Sequence, residues 1–226
     1  MEKARKLYIL VRHGERADEV EQNTQIADPL LTQKGVTDST LTGKEIGKKL
    51  YDLGSIGQNE LRIAFMSSVT YRCLQTLRAV KDGIKEYIKE ISQPSSMQQE
   101  DVKTAINCDS VLASIDKATT FVEEACTEKS AKQEKDFHTQ MQYIANRPEL
   151  QKQFSDLNLV FQSLFDYKDK DFRYCIDKHI SHHGQVIKLL EQFHSRMINR
   201  LINDPVNDVY LVLTHGQFLN KLISYM

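Results

Sequence analysis

Three short runs of uninterrupted apolar residues, 7–11 (LYILV), 63–66 (IAFM) and 209–213 (VYLVL), most limit how this chain can fold. None alternates with polar residues. Each therefore reads as a strand buried on both faces, the pattern of a parallel sheet. A weaker fourth candidate covers 102–107. Parallel strands need long crossovers, and helical patterns lie between the runs. Asp28-Pro29 breaks the chain, and Thr32 is predicted to cap a helix that places Val36, Ser39, Gly43, Ile46, Leu50 and Leu53 on one face. Its small residues, Ser39, Gly43 and Gly47, are expected to let it approach the sheet closely. A second helix, starting near Ser68, sets Cys73, Leu77, Val80, Ile84, Ile88 and Ile91 at three- and four-residue steps. Only 9 Gly and 4 Pro disfavour a turn-rich all-β fold, because tight turns consume those residues. The fold class is α/β, a mostly parallel central sheet in a three-layer α/β/α arrangement.

The remaining segments are more polar. Residues 92–100 turn to Ser, Gln and Pro and read as a surface loop. Residues 116–171 look polar and helical, with Leu150, Phe154, Leu157, Phe161 and Leu164 on one face. We expect a helical insertion over about 116–178, carried by a single domain spanning 1–226. Val186, Leu190, Phe193, Met197 and Leu201 suggest one more amphipathic helix, ended by Asn203-Asp204-Pro205. A formal net charge of −1 argues against nucleic acid or an anionic membrane as the partner. Cys73, Cys108, Cys126 and Cys175 have no C-x-x-C spacing and read as reduced thiols. The first apolar run is too short for a signal peptide, and no stretch approaches a membrane span. A reducing, cytoplasmic location is the expectation.

The residues just past each strand carry the chemistry. After Val11 comes Arg12-His13-Gly14-Glu15-Arg16. After Met66 comes Ser67-Ser68, with Arg72 shortly beyond. After Leu213 comes Thr214-His215-Gly216. Open α/β sheets bind ligands at the carboxyl ends of their strands. Two histidines and up to three arginines are thus delivered to one edge. Guanidinium groups grip phosphate oxygens in a bidentate fork and keep their charge. A neutral histidine nitrogen adds a nucleophile. Gly14 and Gly216 leave room for close backbone approach, and a helix start after Ser68 offers unpaired N–H groups.

These stretches, together with Leu31-Thr32-Gln33-Lys34-Gly35 and the S-x-x-x-R-C-x-Q-T pattern from Ser68 to Thr76, resemble the histidine phosphatase superfamily, whose fold is called phosphoglycerate mutase-like. The motifs occur in the family's order and touch both ends of the chain, while residues 116–178 show no match. The resemblance implies that His13 is the nucleophile forming a phosphohistidine and that the Gly14 carbonyl orients its ring. It implies that Arg12, Arg72 and His215 bracket the phosphoryl oxygens, with Arg16, Gly14, Ser68 and Gly216 in the binding loops. The R-H-G-E-R-x-D form looks most like the phosphatase domain of the ubiquitin-associated, Src-homology-3-containing (Sts) phosphatases. Phosphoglycerate mutases carry Ser, Trp and Asn after R-H-G, and this sequence has no Trp. A phosphorylated small molecule or a phosphoprotein is the implied substrate, with no cofactor and no metal.

Two departures stand out. Relatives supply a general acid from a Glu in an L-x-E pattern, where this sequence places Ser114. Glu100, Asp109 and Asp116 are the nearby candidates for that role. Relatives also continue with a further strand after the last helix, whereas this sequence ends at Met226, so a missing edge strand or a truncated segment is expected. There are two alternatives to a phosphatase: a catalytically weak relative that binds phosphorylated ligands or proteins, or a mutase-type phosphotransferase. His179, His182 and His183 have helical spacing, but no further convergent ligand for a metal is visible. Thr42-Gly43-Lys44-Glu45 lacks the upstream glycine of a P-loop and falls within the first predicted helix.

Overall fold

The computed structural model describes residues 6–21, 29–53, 61–68, 70–92, 108–123, 152, 154–162, 203–216 and 219. Two of the three apolar runs make its centre. Strands β2 (Ile63–Ser67) and β5 (Val209–Thr214) lie side by side, and every residue of both is buried. They are joined by β1 (Leu7–Arg12), β3 (Thr120–Glu123) and β4 (Leu159–Gln162) in one all-parallel sheet of order β1-β5-β2-β3-β4. Helices α1 (Ala17–Glu21), α2 (Gln33–Asp52), α3 (Tyr71–Ile91) and α4 (Cys108–Lys117) complete the expected α/β/α architecture.

Side-chain alternation divides the strands between two faces. Ile63 and Phe65 of β2, with Val209, Leu211 and Leu213 of β5, enter one core with Leu50 of α2, Leu77 and Ile84 of α3, and Val111 and Ile115 of α4. The intervening residues, Ala64, Met66, Tyr210 and Val212, are buried as well. That explains why both runs are continuously apolar. The first run departs from the expectation: β1 is half-buried and Tyr8 is 36% exposed. Its place at one end of the described sheet removes a neighbour that β2 and β5 have on both sides.

Residues 116–178 need correction more than any other segment. Two of the five strands lie inside it. β3 pairs with β2, and β4 pairs with β3. Phe154 and Leu157 are fully buried, but in and beside a short 3₁₀ turn (Ser155–Leu157) that leads into β4, not along an amphipathic helix. Polar contacts hold this segment to α3: buried Lys81 donates from Nζ to the carbonyls of Asp156 (3.1 Å) and Asp116 (3.5 Å), and Arg78 Nε donates to Asp156 Oδ2 (3.0 Å). The candidate strand over 102–107, the helix proposed near 186–201 and the cluster His179, His182 and His183 lie outside the described residues.

The first long helix begins as its sequence predicts, whereas α3 starts at Tyr71 and not near Ser68, whose N–H still donates to Leu213 O in the sheet ladder. Thr32 Oγ1 accepts a hydrogen bond from Gly35 N (2.8 Å), capping α2. On α3, Cys73, Leu77, Val80, Ile84 and Ile88 are all buried. The small residues of α2, however, do not meet the sheet: Gly43 and Gly47 face α3, and Ser39 faces Gly14 in the loop after β1. A Cβ built on Gly43 would strike the Val80 carbonyl, and one built on Gly83 would strike that of Thr40, so α2 and α3 touch backbone to backbone. Leu53, expected on the buried face, is 66% exposed because α2 ends at Asp52 and leaves it as the C-cap.

One polar cluster fixes the entry into β5. Asp204 Oδ1 accepts from the amides of Val206 (2.7 Å) and Asn207 (3.3 Å), while Oδ2 accepts from Asn207 Nδ2 (2.8 Å) and from the Tyr210 hydroxyl. Partial burial alone would raise the Asp204 pKa, but the bonds from Asn207, Tyr210 and the amides overcome it and hold the pKa down to about 2 from 3.8. The native carboxylate is therefore bound more tightly than the unfolded one. This stability is full above about pH 4 and is lost as pH falls toward 2. Asp204→Asn is expected to cost about 1–2 kcal/mol at pH 7, the full linkage value discounted for partial exposure. Urea unfolding at pH 7 and pH 2.5 should show the difference shrinking; an equal loss at both pH values contradicts it.

Candidate active site

The sheet order brings the three sequence-predicted strand ends together. β5 lies between β1 and β2, with Arg12 in register with Thr214 and Ser67 with Leu213. The ladder continues one step past each strand: His13 N donates to Thr214 O (3.1 Å) and Ser68 N to Leu213 O (3.0 Å). His13 and Ser68 are thereby fixed by backbone bonds at one edge, beside His215, which directly follows β5. Arg72, in the first turn of α3, joins them from above β2. All four side chains are buried or nearly so; His13 is 7% exposed and His215 0%. The two imidazole rings meet edge to face with centroids 5.2 Å apart.

Each histidine has a defined neighbourhood. His13 Nδ1 lies 2.9 Å from the Gly14 carbonyl, which can only accept, so Nδ1 carries the proton and Nε2 keeps its lone pair in the neutral ring. Burial lowers the His13 pKa below 6.5; the Gly14 bond opposes this, and the charges of Arg72, Arg12 and Arg16 add to it. His13 is neutral at pH 7. His215 Nε2 contacts Ser68 Oγ (3.0 Å) and Cys73 Sγ (3.8 Å), and its Nδ1 lies 3.4 Å from Arg72 Nη2. Burial, then the Arg72 charge, pulls its pKa down to about 3, so it too stays neutral.

The arginines occupy different positions. Arg72 is buried against His215. Arg12 is exposed at the end of β1, its side chain lying over Gly216, where an added Cβ would sit 3.2 Å from Arg12 Nε. Arg16 pairs in an antiparallel bridge with Leu31 and sends its guanidinium to Asp18, with Nε 2.8 Å from Oδ1 and Nη2 on Oδ2. Its charge acts on both histidines, but this edge of its fork is held by a carboxylate.

Several supporting residues were not singled out by the sequence, although most sit inside its motifs. Thr76 Oγ1 accepts from Gly14 N (2.9 Å) and donates to Arg72 O (2.7 Å). Gln75 Oε1 accepts from Leu31 N (2.9 Å), and Thr32 Oγ1 donates to Glu15 Oε1 (2.8 Å). Together they fasten the loop after β1 to α2 and α3. Asp18 was visible only as the last letter of R-H-G-E-R-x-D. The Arg16 bond lowers its pKa, which keeps it ionised and unsuited to donate a proton.

The general-acid candidates are not brought to this cluster by any described contact. Asp109 is exposed in the first turn of α4. Asp116 is exposed in the last turn and pairs with Lys85 of α3 at 2.7 Å. Ser114, in the position expected for Glu, turns its hydroxyl back to Ser110 O (3.0 Å) within α4. Glu100 lies outside the described residues. Among the described residues, no three His, Cys, Asp or Glu side chains are grouped to hold a metal ion. No described helix is long and apolar enough to cross a membrane.

Fold and site together define a parallel α/β protein with two buried neutral histidines and two nearby arginines at the carboxyl edge of its sheet. No protein-family model matches the sequence, and no curated protein matches it. Among solved structures the chain shows a distant similarity to the phytase of Klebsiella sp. ASR1. The two are 16% identical, with a TM-score of 0.42, over 99% of this chain and 73% of that one.

Proposed function

We propose that this protein is a phosphohydrolase that works through a phosphohistidine on His13. One observation carries the reading: a buried imidazole with its Nδ1 proton held by the Gly14 carbonyl, kept neutral among guanidinium groups. Phosphate dianion is drawn to the guanidinium groups of Arg72 and Arg12, whose forked donors match its oxygens. The Nε2 lone pair attacks phosphorus in line, and the P–O bond to the leaving group breaks as the N–P bond forms. Water then attacks the phosphohistidine and releases inorganic phosphate, returning the electron pair to Nε2. His215, neutral and bonded to Ser68, offers a polar wall without adding charge. Substrates with good leaving groups suit a site in which no described carboxylate is placed to protonate the leaving oxygen. They include aryl phosphates and other phosphomonoesters, small or protein-borne.

The test is chemical trapping. Brief incubation with a phosphorus-labelled aryl phosphate, quenched in base, should give protein label that is base-stable and acid-labile, and that chases at the turnover rate. Turnover with no such label, or with an acid-stable one, overturns the reading.

A second reading has a specific observation behind it. Ser114 and Asp116 are both committed within or beside α4, away from the histidines. A binding module for phosphorylated ligands would hold aryl phosphate with background turnover. The same incubation separates the two, because binding alone leaves no covalent label.

A further inference from the structure

We infer that Thr76 is a positioning residue that sets which nitrogen of His13 carries the proton. The inference rests on the phosphohistidine reading for its kinetic consequence, but not for its structural one. The Thr76 hydroxyl has a single proton, and it is given to Arg72 O at 2.7 Å, the carbonyl one helical turn back. The oxygen is then free to accept, and at 2.9 Å it takes the Gly14 N–H. Both roles of the hydroxyl are thereby assigned.

Gly14 is gripped on both sides of its Cα. Its N–H goes to Thr76, and its carbonyl goes to His13 Nδ1. A Cβ built on Gly14 would lie 2.7 Å from Gly35 O and 2.8 Å from Ser39 Oγ, so α2 closes the third side. The residue cannot translate; it can only rotate about its own backbone bonds. The Thr76 bond blocks that rotation. Thr76 is itself buried, so losing its oxygen takes from the Gly14 N–H the partner it has in the fold.

Remove the oxygen and the Gly14 N–H must seek another acceptor, turning the neighbouring carbonyl off Nδ1. His13 then divides its proton between two tautomers. The form with hydrogen on Nε2 has no lone pair to attack phosphorus. Thr76 thus joins the nucleophile loop to the arginine-bearing helix through one oxygen atom.

Three variants test this. Thr76→Val keeps the shape and loses the oxygen, Thr76→Ser keeps the oxygen, and Thr76→Ala removes both without overpacking should Val fail to fold. The primary readout is independent of activity: the nitrogen-proton couplings of the His13 ring by NMR. Wild type and Thr76→Ser should show the Nδ1–H form, and Thr76→Val or Thr76→Ala a mixture. On an aryl phosphate, Thr76→Val should lower kcat about 10–100-fold with KM little changed, the cost of a misplaced reacting group. Thr76→Ser should return most of the loss. A single Nδ1–H tautomer in both oxygen-free variants overturns the inference. Should wild type show no phosphatase activity, the proposed function falls, and the tautomer result still decides the role of Thr76.

Discussion

His13→Asn is expected to lose roughly 10⁴–10⁶-fold in aryl phosphate turnover, the scale seen when a covalent nucleophile is removed, while keeping its fold and its grip on phosphate. The choice of asparagine comes from the geometry. Its amide N–H can take the place of Nδ1–H and donate to the Gly14 carbonyl, so the buried acceptor keeps a partner. What disappears is Nε2, together with the ring edge that meets His215. Arg72 and Arg12 remain, so the affinity for inorganic phosphate should stay within a few-fold of wild type. The arginines lose a repulsive partner only if His13 is charged, and its lowered pKa keeps it neutral at pH 7. The measurement is kcat/KM together with phosphate affinity and thermal melting of the same protein. Turnover above about one per cent of wild type, in a folded variant, removes His13 as the nucleophile. Lost turnover with lost phosphate binding would instead place His13 among the binding residues.

How far the sequence revealed this arrangement depended on whether the signal was local. The central strands β2 and β5 were legible because burial on both faces demands a continuous apolar run, and each has one. The start of α2 was legible because Thr32 caps within three residues of itself. β3 and β4 were not, since four residues apiece leave too short a pattern inside a polar segment. Their status as strands comes from pairing with distant parts of the chain, β3 with β2 and β4 with β3. Strand order is likewise invisible in a single strand, and so the exposure of β1 was missed.

The candidate site divides the same way. Arg12, His13, Ser68 and His215 were readable because each directly follows an apolar run, and strand ends converge in a parallel sheet. The duties of Thr76 and Asp18 depend on what crosses from other elements. No spacing along the chain states that a threonine on α3 accepts the amide of Gly14 on the loop after β1. Asp116 shows the converse. Proximity in sequence made it an acid candidate, and the structure turns it toward Lys85.

Gly43→Ala is expected to destabilise the protein by about 3 kcal/mol or more, the upper range for overpacking a close contact. The sign is the point of the experiment. In an exposed helix interior the same change should stabilise by roughly 1 kcal/mol, because glycine has the poorer helix propensity. Here the added methyl meets backbone: the Val80 carbonyl carbon and Cα at 2.9 Å, with the carbonyl oxygen nearer still. No side chain can rotate away to make room. Relief requires α2 and α3 to part, and that opens the buried contacts of Ile46 and Leu50 with the face of Val80, Ile84 and Ile88. Gly83→Ala should behave alike, since its Cβ would meet Thr40 C at 2.9 Å and Gly43 Cα at 3.0 Å. Gly47 supplies the control on the same helix. Its nearest atoms, Tyr87 Cβ and Cδ1 at 3.2 Å and Ile84 Cα at 3.4 Å, need give way by only a few tenths of an ångström, so Gly47→Ala should cost clearly less than Gly43→Ala, about 1 kcal/mol. Urea unfolding of the three variants reads the difference directly. A Gly43→Ala protein as stable as wild type would mean that α2 and α3 do not cross in backbone contact. The same crossing governs the site, because α2 carries Gly35 and Ser39 against Gly14 while α3 carries Arg72 and Thr76. Partial separation of the helices should therefore weaken turnover before the protein unfolds. Such a loss in Gly43→Ala below its melting range, with phosphate still bound, would tie the geometry around His13 to the spacing of two glycine-lined helices.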